Sequence, residues 1–130
     1  MVTFSNSIIA TNIDNGNEAA DCAGTLMSQG YVLLQVTSGC ALTGVNTGQI
    51  TGQNPLLGPL SNQHGDTLAH SLLTGSPALN SGNPAAPGSS ATACALLDQR
   101  GVVRPMGAKC DMGALEQVFF TFLPILAKGS

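Results

Sequence analysis

The stretch from Asp98 to Glu116, DQRGVVRPMGAKCDMGALE, decides the fold of this chain more than any other part of the sequence. It contains six of the eleven charged residues, which are four Lys or Arg and seven Asp or Glu. The whole chain is 8% charged, against about 25% in an average domain, so charge is concentrated where a contact has to be fixed. We therefore predict that this stretch, the closing segment, locks the end of an elongated β-fold. Its charged residues are Asp98, Arg100, Arg104, Lys109, Asp111 and Glu116.

The composition of the remaining chain favours strands and turns over helices. The 130 residues suit one domain, and they include 16 Gly, 7 Pro and no Trp. The abundant Asn, Ser and Thr are weak helix formers and good turn formers. All four Lys and Arg residues lie in the last third of the sequence, and the net charge is -3. The chain therefore lacks a basic face, and no nucleic-acid partner is expected.

Apolar runs recur along the sequence at a spacing typical of stacked β-structures. Val2–Ala10 predicts a first strand because it is rich in β-branched residues. Runs at Ser5–Ile9, Tyr31–Leu34 and Pro55–Leu57 then recur about every 25 residues, which lies within the range of solenoid repeats. The pattern favours an all-β fold that is a short β-solenoid, with a β-sandwich as the alternative.

Two regions are predicted from this pattern. Residues 1–117 form the β-solenoid domain, and residues 118–130 form an apolar C-terminal tail. The core of the tail, Val118–Leu126 (VFFTFLPIL), is far shorter than the roughly 20 residues that a membrane-spanning helix needs. No transmembrane segment is expected. The start of the chain lacks the features of a signal peptide, so either a leader has been removed or the chain is a piece of a longer polypeptide.

The four cysteines form two couples that are close in sequence, Cys22 with Cys40 and Cys94 with Cys110. Four cysteines allow three pairings, and two disulfides are the expected outcome. The sequence has no C-x-x-C motif, and neither histidine is spaced from a cysteine like a zinc ligand, so no metal and no cofactor are expected. Disulfides indicate an oxidising compartment, and the expected location is extracellular, at the cell surface.

The sequence resembles the last coils of secreted bacterial right-handed parallel β-helix proteins of the choice-of-anchor Q type. These are similar to polymorphic outer-membrane and adhesin-like repeat proteins. The resemblance covers nearly the whole chain. Its motifs lie at 6–10, 21–24, 28–34, 39–40, 54–60, 65–72, 75–79, 98–105 and 110–116.

The resemblance implies a right-handed β-helix, secretion and a structural or adhesive role, and it supplies no catalytic residues. It further implies that Arg100 and Asp111 form a buried or half-buried ion pair that pins the closing segment. Removal of one partner of a buried pair costs about 3 kcal/mol or more. His70 is expected to be buried and hydrogen-bonded. The structural polar residues are therefore His70, Arg100, Arg104, Asp111 and Glu116.

Other chemistry has weaker support in the sequence. His70 with Ser71 or Ser76 and Asp66 could form a nucleophilic triad, but no G-x-S-x-G motif is present. The oxygen-rich loop from Asn12 to Asp21 could bind calcium, but its spacing is not that of an EF-hand. A lyase or glycosidase would need acids and bases along one cleft, and here the bases cluster at one end of the chain.

The apolar tail and the first strand are the predicted assembly surfaces. The tail either folds back to cover its own solenoid or pairs as a donated strand with the next subunit. The chain starts directly in a strand, and an uncapped solenoid end invites another copy. The predicted assembly residues are Val2, Phe4, Ile8, Val118, Phe119, Phe120, Phe122, Leu123, Ile125 and Leu126.

The expected function is therefore mechanical. The chain is predicted to be an extracellular structural protein without catalytic activity, either a self-assembling, pilus-like filament subunit or an adhesin module. Its expected partners are other copies of itself in a head-to-tail arrangement, and also surface polysaccharide or other cells. The rival hypothesis is a carbohydrate-binding or polysaccharide-cleaving β-helix module, which would present exposed aromatic side chains for stacking on sugars.

Overall fold

The computed structural model describes residues 1–118, and in these residues every regular element is a β-strand. The predicted all-β class is confirmed for this part of the chain. It contains no helix that is long and apolar enough to cross a membrane. The strands are β1 (Val2–Phe4), β2 (Ser7–Ile9), β3 (Gly24–Gln29), β4 (Val32–Leu34), β5 (Cys40–Val45), β6 (Ile50–Thr51), β7 (Leu57–Ser61) and β8 (Ala69–Leu72).

Six of these strands form two small parallel sheets. The first sheet has the order β1–β3–β5, the second has the order β2–β4–β6, and every pair within them is parallel. The chain therefore passes three times in succession from a strand of the first sheet to a strand of the second. The antiparallel hairpin β7–β8 follows, with an irregularity between Leu57 and Leu60.

The predicted single strand Val2–Ala10 is two strands, because the chain turns a corner at Asn6. Asn6 has a φ of 47°, in the left-handed region that Asn tolerates better than most residues. The following strand pair turns at the equivalent place, where Gly30 (φ 100°) and Tyr31 (φ 56°) separate β3 from β4. The Asn6 N–H donates to the Gly30 carbonyl at 3.4 Å, so the two corners lie one above the other.

The predicted period of about 25 residues is right for the first step and wrong for the second. Ser7 pairs with Val32, 25 positions later, but Leu33 pairs next with Ile50, only 17 positions later. Pro55–Leu57 leads into the antiparallel hairpin and is not a third parallel repeat. The steps differ because residues 10–23 connect β2 to β3, whereas only residues 35–39 connect β4 to β5.

Both sequence-local cysteine couples form disulfides. The Cys22–Cys40 bond joins the segment before β3 to the first residue of β5, with the Cα atoms 5.5 Å apart. The Cys94–Cys110 bond joins the closing segment to the loop that precedes it, with the Cα atoms 6.6 Å apart. Closures of 18 and 16 residues each stabilise a fold by about 3 kcal/mol through the unfolded chain.

The hydrophobic core joins the second sheet to the hairpin and the closing segment. Leu33 of β4, Leu72 of β8, Ala78 and Met112 are buried against one another. Because Met112 belongs to the closing segment, detaching that segment would uncover this core, at a cost of about 1.5–3 kcal/mol for one such side chain. The half-buried residues packed around the core are Ile8, Tyr31, Ile50, Leu57 and Leu79.

We expect Gly44→Ala to lower the free energy of unfolding more than Gly52→Ala does. Both glycines have positive φ, 91° and 70°, so alanine is strained by about 1–2 kcal/mol at either position. A Cβ at Gly44 would also collide with the Ser28 carbonyl oxygen on the paired strand β3, whereas at Gly52 it would meet open space. Urea denaturation measures both losses, and equal losses would contradict the register between β3 and β5.

Candidate functional site

Four of the six charged side chains of the closing segment are buried in the protein. The exposed fraction is 7% for Asp98, 8% for Arg104, 3% for Asp111 and 1% for Glu116. Charged side chains are almost never buried to this extent unless they are paired. The closing segment is therefore an internal network of ion pairs and hydrogen bonds.

The predicted ion pair between Arg100 and Asp111 is wrong, because Arg100 pairs with Asp98. Its Nη2 and Nε both donate to Asp98 Oδ2, at 2.7 and 3.0 Å, and Nη2 also donates to the Glu116 carbonyl. Asp98 further accepts the backbone N–H groups of Arg100, Val102 and Glu116. Asp98 lies only two residues from Arg100, so a local turn is enough to bring the pair together.

Arg104 forms the second ion pair, with Glu116, at 3.2 Å. Its Nη1 also donates to the Asp111 carbonyl at 2.9 Å, and its Nη2 to the Gly113 carbonyl at 2.8 Å. The Glu116 carboxylate accepts the backbone N–H groups of Met106 at 3.1 Å and Asp111 at 3.0 Å. Among the described residues, only the Nε of Arg104 lacks a partner in this network. The pair thus holds the segment closed on itself.

Asp111 ties the closing segment to its neighbours through backbone amides. Its carboxylate accepts the N–H of Asn80 and the N–H of Gln117, each at 2.7 Å. One residue further on, the Met112 N–H donates to the Ala78 carbonyl at 3.0 Å. These bonds place Met112 in the core and explain why Asp111 is not available to Arg100.

The closing segment and the loop before it also cover the first corner of the chain. The Gly113 N–H donates to the Asn6 carbonyl, and the Asn83 N–H donates to Asn6 Oδ1, both at 2.8 Å. Asn6 Nδ2 donates to the Thr92 carbonyl at 2.8 Å. The expected uncapped start is therefore covered at Asn6, whereas Val2 on β1 remains 61% exposed. No local pattern predicts this cover, because Asn6 contacts residues more than 75 positions away.

A groove of about 500 Å³, lined by apolar and polar residues, lies beside β2. Ile8 and Ile9 of β2 form one wall, and Leu57, Leu60 and Leu68 of the hairpin region lie opposite. A second cavity of about 230 Å³ adjoins it, because Leu72 and Leu115 line both. The sequence prediction missed the groove, because the groove brings β2 together with the hairpin β7–β8, which is far away in the sequence.

The predicted assembly residues fall into three groups. Val2 is exposed and Phe4 is half-buried, both on β1. Ile8 packs against the core and lines the groove, and Val118 lines the smaller cavity. The remaining six lie outside the described residues: Phe119, Phe120, Phe122, Leu123, Ile125 and Leu126.

His70 is hydrogen-bonded as predicted, but its side chain is exposed and not buried. Its Nδ1 lies 2.7 Å from the Gly58 carbonyl oxygen, and it must carry a proton to donate there. Ser76 is buried, and its hydroxyl accepts the N–H of Ala78. His70 lines the groove beside β2 and stays exposed there. Its ring nitrogen is used in the hairpin and not to activate a serine.

The carboxylates of the predicted calcium loop bind backbone amides. Asp14 accepts the N–H groups of Gly16, Glu18 and Ala19 at 2.8 to 2.9 Å, and these bonds hold the pKa of its carboxyl below the ordinary value. Asp21 accepts hydrogen bonds from the Val36 N–H at 2.8 Å and from the backbone N–H and side-chain amide of Asn12. Within residues 1–118, no cluster of three acidic, His or Cys side chains could hold a metal ion. The carboxylates of Asp14 and Asp21 therefore stabilise the loop by accepting hydrogen bonds from its own amides.

The aromatic side chains of the described part offer little to a sugar ligand. Residues 1–118 contain Phe4 and Tyr31 as aromatic residues, and both are half-buried. Tyr31 packs against the core, and Gly48 lies directly against its ring. Neither ring is an exposed stacking surface of the kind that the carbohydrate hypothesis requires.

Comparisons with protein-family models, with curated proteins and with solved structures give no match for this chain. The resemblance to secreted β-helix proteins therefore stays a prediction. The proposals that follow depend on the sequence and on the geometry of residues 1–118.

We expect Glu116→Gln to lower the free energy of unfolding by about 3 kcal/mol or more, because it leaves the buried Arg104 without a counter-charge. Lys109→Gln removes an exposed charge from the same segment and should cost less than about 0.5 kcal/mol. Adding Arg104→Met to Glu116→Gln should cost less than the sum of the two single losses. Urea denaturation of Lys109→Gln, Glu116→Gln, Arg104→Met and the double variant measures the coupling between Arg104 and Glu116. Strict additivity of the two single losses would show that the pair does not act as a unit.

Acid is expected to destabilise the fold through Asp98. Burial by itself raises the pKa of the Asp98 carboxyl, but the hydrogen bonds from Arg100 and from the Glu116 and Val102 amides outweigh it, so the pKa lies below its ordinary 3.8. A carboxylate with a lowered folded pKa stabilises the fold above the unfolded pKa. That stabilisation is lost as the pH falls from about 4 through the folded pKa.

Asp98→Asn should therefore make the free energy of unfolding less dependent on pH below about 4. The exposed Asp66→Asn changes the charge equally and should keep the dependence of the parent protein. Urea denaturation across this pH range measures both variants. Identical pH dependence in the two variants would mean that Asp98 does not gain its stabilisation from the ionised form.

Proposed function

We propose that this chain is an extracellular structural protein without catalytic activity that assembles head to tail with other copies of itself. The assembly would serve as a surface filament, or the chain would act as an adhesin module. The observation that carries this proposal is that, within residues 1–118, no further strand pairs with either edge of the first sheet. β1 forms one edge of that sheet and β5 forms the other.

Both edges are accessible to a further strand. On β1, Val2 and Thr3 are exposed and Phe4 is half-buried. On β5, the side chains are mostly exposed, and Val45 at its end is 49% exposed. A strand at the edge of a sheet presents unpaired N–H and C=O groups, which favour pairing with another chain.

The direction of the strands suits repeated addition of subunits. β1 is parallel to β3, and β3 is parallel to β5, so β1 of one copy can pair with β5 of the next in the same parallel manner. The two edges are different surfaces of one chain, and contacts between different surfaces build filaments unless the rotation between subunits closes a ring. This geometry supports a filament over a closed dimer.

The finer fold in this proposal is a short right-handed parallel β-helix. Three successive strand pairs support it, as do the corners that lie above one another: the Tyr31 N–H donates at 2.8 Å to the Thr47 carbonyl at the third corner. Connections between parallel strands of one sheet are right-handed in nearly all proteins. In a solenoid each layer buries its apolar side against the next, which leaves the terminal layers open to another copy.

The location and the absence of catalysis have separate support. Two disulfides persist in oxidising compartments, which favours an extracellular site. The charged side chains of Asp98, Arg100, Arg104, Asp111 and Glu116 are occupied by internal hydrogen bonds, and His70 is bound to a backbone carbonyl. Side chains used in this way hold a structure together and are not free to meet a substrate.

We expect Val2→Glu to weaken assembly, because a carboxylate on the β1 edge would lose water when another strand pairs there. The concentration at which filaments form should rise at least about tenfold, which is 1.4 kcal/mol per contact. Leu96→Glu adds the same charge at a site that is 61% exposed and outside both sheets, so it should assemble like the parent protein. Electron microscopy and light scattering of the purified protein over a concentration series measure the change.

Two results would overturn the proposal. The parent protein could stay monomeric at every concentration, including concentrations far above those at which surface proteins assemble. Alternatively, Val2→Glu could assemble as readily as Leu96→Glu, which would show that the β1 edge takes no part in the contact.

A further inference from the structure

The three strands of the first sheet lie residue above residue. The pairing of β1 with β3 and the pairing of β3 with β5 each keep one register along their whole length. Three rows of residues therefore run across the sheet, and the side chains of one row lie on the same face. The rows are Val2–Leu26–Leu42, Thr3–Met27–Thr43 and Phe4–Ser28–Gly44.

The third row ends on β5 in a residue without a side chain. Ser28 in the middle of this row is 1% exposed, whereas Gly44 at its end is exposed and has a φ of 91°. A glycine inside a strand often marks a place where another backbone approaches closely. An aromatic residue on the neighbouring strand compensates for a glycine in an edge strand. The β5 edge is therefore suited to a partner strand that carries an aromatic residue opposite Gly44.

The β1 end of the same row carries such a residue. Among the described strands of the first sheet, Phe4 is the only aromatic residue, and its side chain is half-buried. When β1 of one copy pairs with β5 of the next in the register of the sheet, Phe4 lies opposite Gly44. The other two rows then continue with an aliphatic pair and a hydroxyl pair, both of which stabilise paired strands. These pairs are Val2 opposite Leu42 and Thr3 opposite Thr43.

Other registers lose these matches. A slip of one residue turns the side chain of Phe4 to the opposite face of the sheet. A slip of two residues keeps the face, but it places Phe4 either opposite Leu42 or beyond Val45, the last residue of β5. In both of these slips Gly44 lacks an aromatic neighbour. The residues of the two edges therefore distinguish one alignment from its alternatives.

We propose that two copies meet head to tail in one register, in which Phe4 of one copy covers Gly44 of the next. This inference rests on the proposed function and adds the residues that decide how the copies align. Phe4 selects the register, because one alignment alone places its ring against the edge glycine and keeps all three residues of β1 paired. Each added copy then presents its own β5 for the next addition.

Disulfide cross-linking measures the register directly. Within one chain, Thr3 and Thr43 both pair with Met27, so they lie two strand spacings apart, about 9–10 Å, which is too far for a disulfide. Between two copies in the proposed register they lie one spacing apart, about 4.8 Å, which a disulfide spans. Thr3→Cys with Thr43→Cys, oxidised after assembly, should therefore give a ladder of covalent oligomers on a nonreducing gel.

Two matched variants report the slipped registers. Thr3→Cys with Ala41→Cys and Thr3→Cys with Val45→Cys place the second thiol two positions away from Thr43, at sites on β5 that are also exposed. Both should cross-link several-fold more slowly than the variant at Thr43. Mass spectrometry of the linked peptides identifies the joined positions and verifies that the two native disulfides are retained.

A second measurement follows Phe4 itself and needs no added thiol. Phe4→Trp introduces a single indole, because the chain has no Trp. Its emission should shift to the blue as the protein concentration rises through the onset of assembly, and addition of Val2→Glu should move this shift to higher concentration. Leu96→Trp is the control, since the site is 61% exposed and outside both sheets, and its emission should stay constant.

Electron microscopy of the same samples separates the two proposals. Filaments that cross-link faster at Ala41 or Val45 would overturn the register and leave the assembly proposal intact. Filaments without cross-links at any of the three positions, or without a shift in the Phe4→Trp emission, would overturn it as well. Absence of both filaments and cross-links would contradict the proposed function together with this inference.

Discussion

The structure depends on the burial of the Arg104–Glu116 pair inside the closing segment. Burial of two opposite charges is costly unless every remaining polar group also finds a partner. Here Glu116 accepts two backbone N–H groups and Arg104 donates to two backbone carbonyls in addition to their mutual bond, and of the polar atoms of these two side chains only the Nε of Arg104 is buried without a partner. The pair thus fixes the path of the backbone from Met106 to Glu116, and this path places Met112 in the core and Gly113 against Asn6.

The network explains how two very small parallel sheets persist in a chain with few aromatic residues. The sheets contain three strands each, and every strand of the second sheet is three residues long or shorter. Such sheets bury little on their own. The closing segment returns to the first corner and closes the core from outside, while the two disulfides limit the freedom of the unfolded chain. Charge that is used internally in this way leaves a surface poor in charge, and a surface of that kind resists association with other copies only weakly.

The sequence predicted those features that depend on local composition. The disulfide couples followed from sequence proximity, the all-β class from weak helix formers, and the structural role of the closing segment from its concentrated charge. The repeat failed at its second step, because periodicity does not reveal how many residues a loop such as 10–23 contains. The partner of Arg100 was misassigned, since Asp98 and Asp111 are alike in sequence and only the backbone path decides between them. The cover at Asn6 and the groove were not predicted, because both bring together residues that are far apart in the chain.

Hydrogen exchange of individual amides in the native protein tests the central claim most directly. If the buried charge network holds the fold together, the Asp111 and Gly113 amides and the Leu33 amide of β4 should exchange with the same free energy of opening, as one cooperative unit. The contrary result would be exchange of the closing-segment amides at a much lower free energy, with β4 still protected. That result would show that the sheets stand without the network.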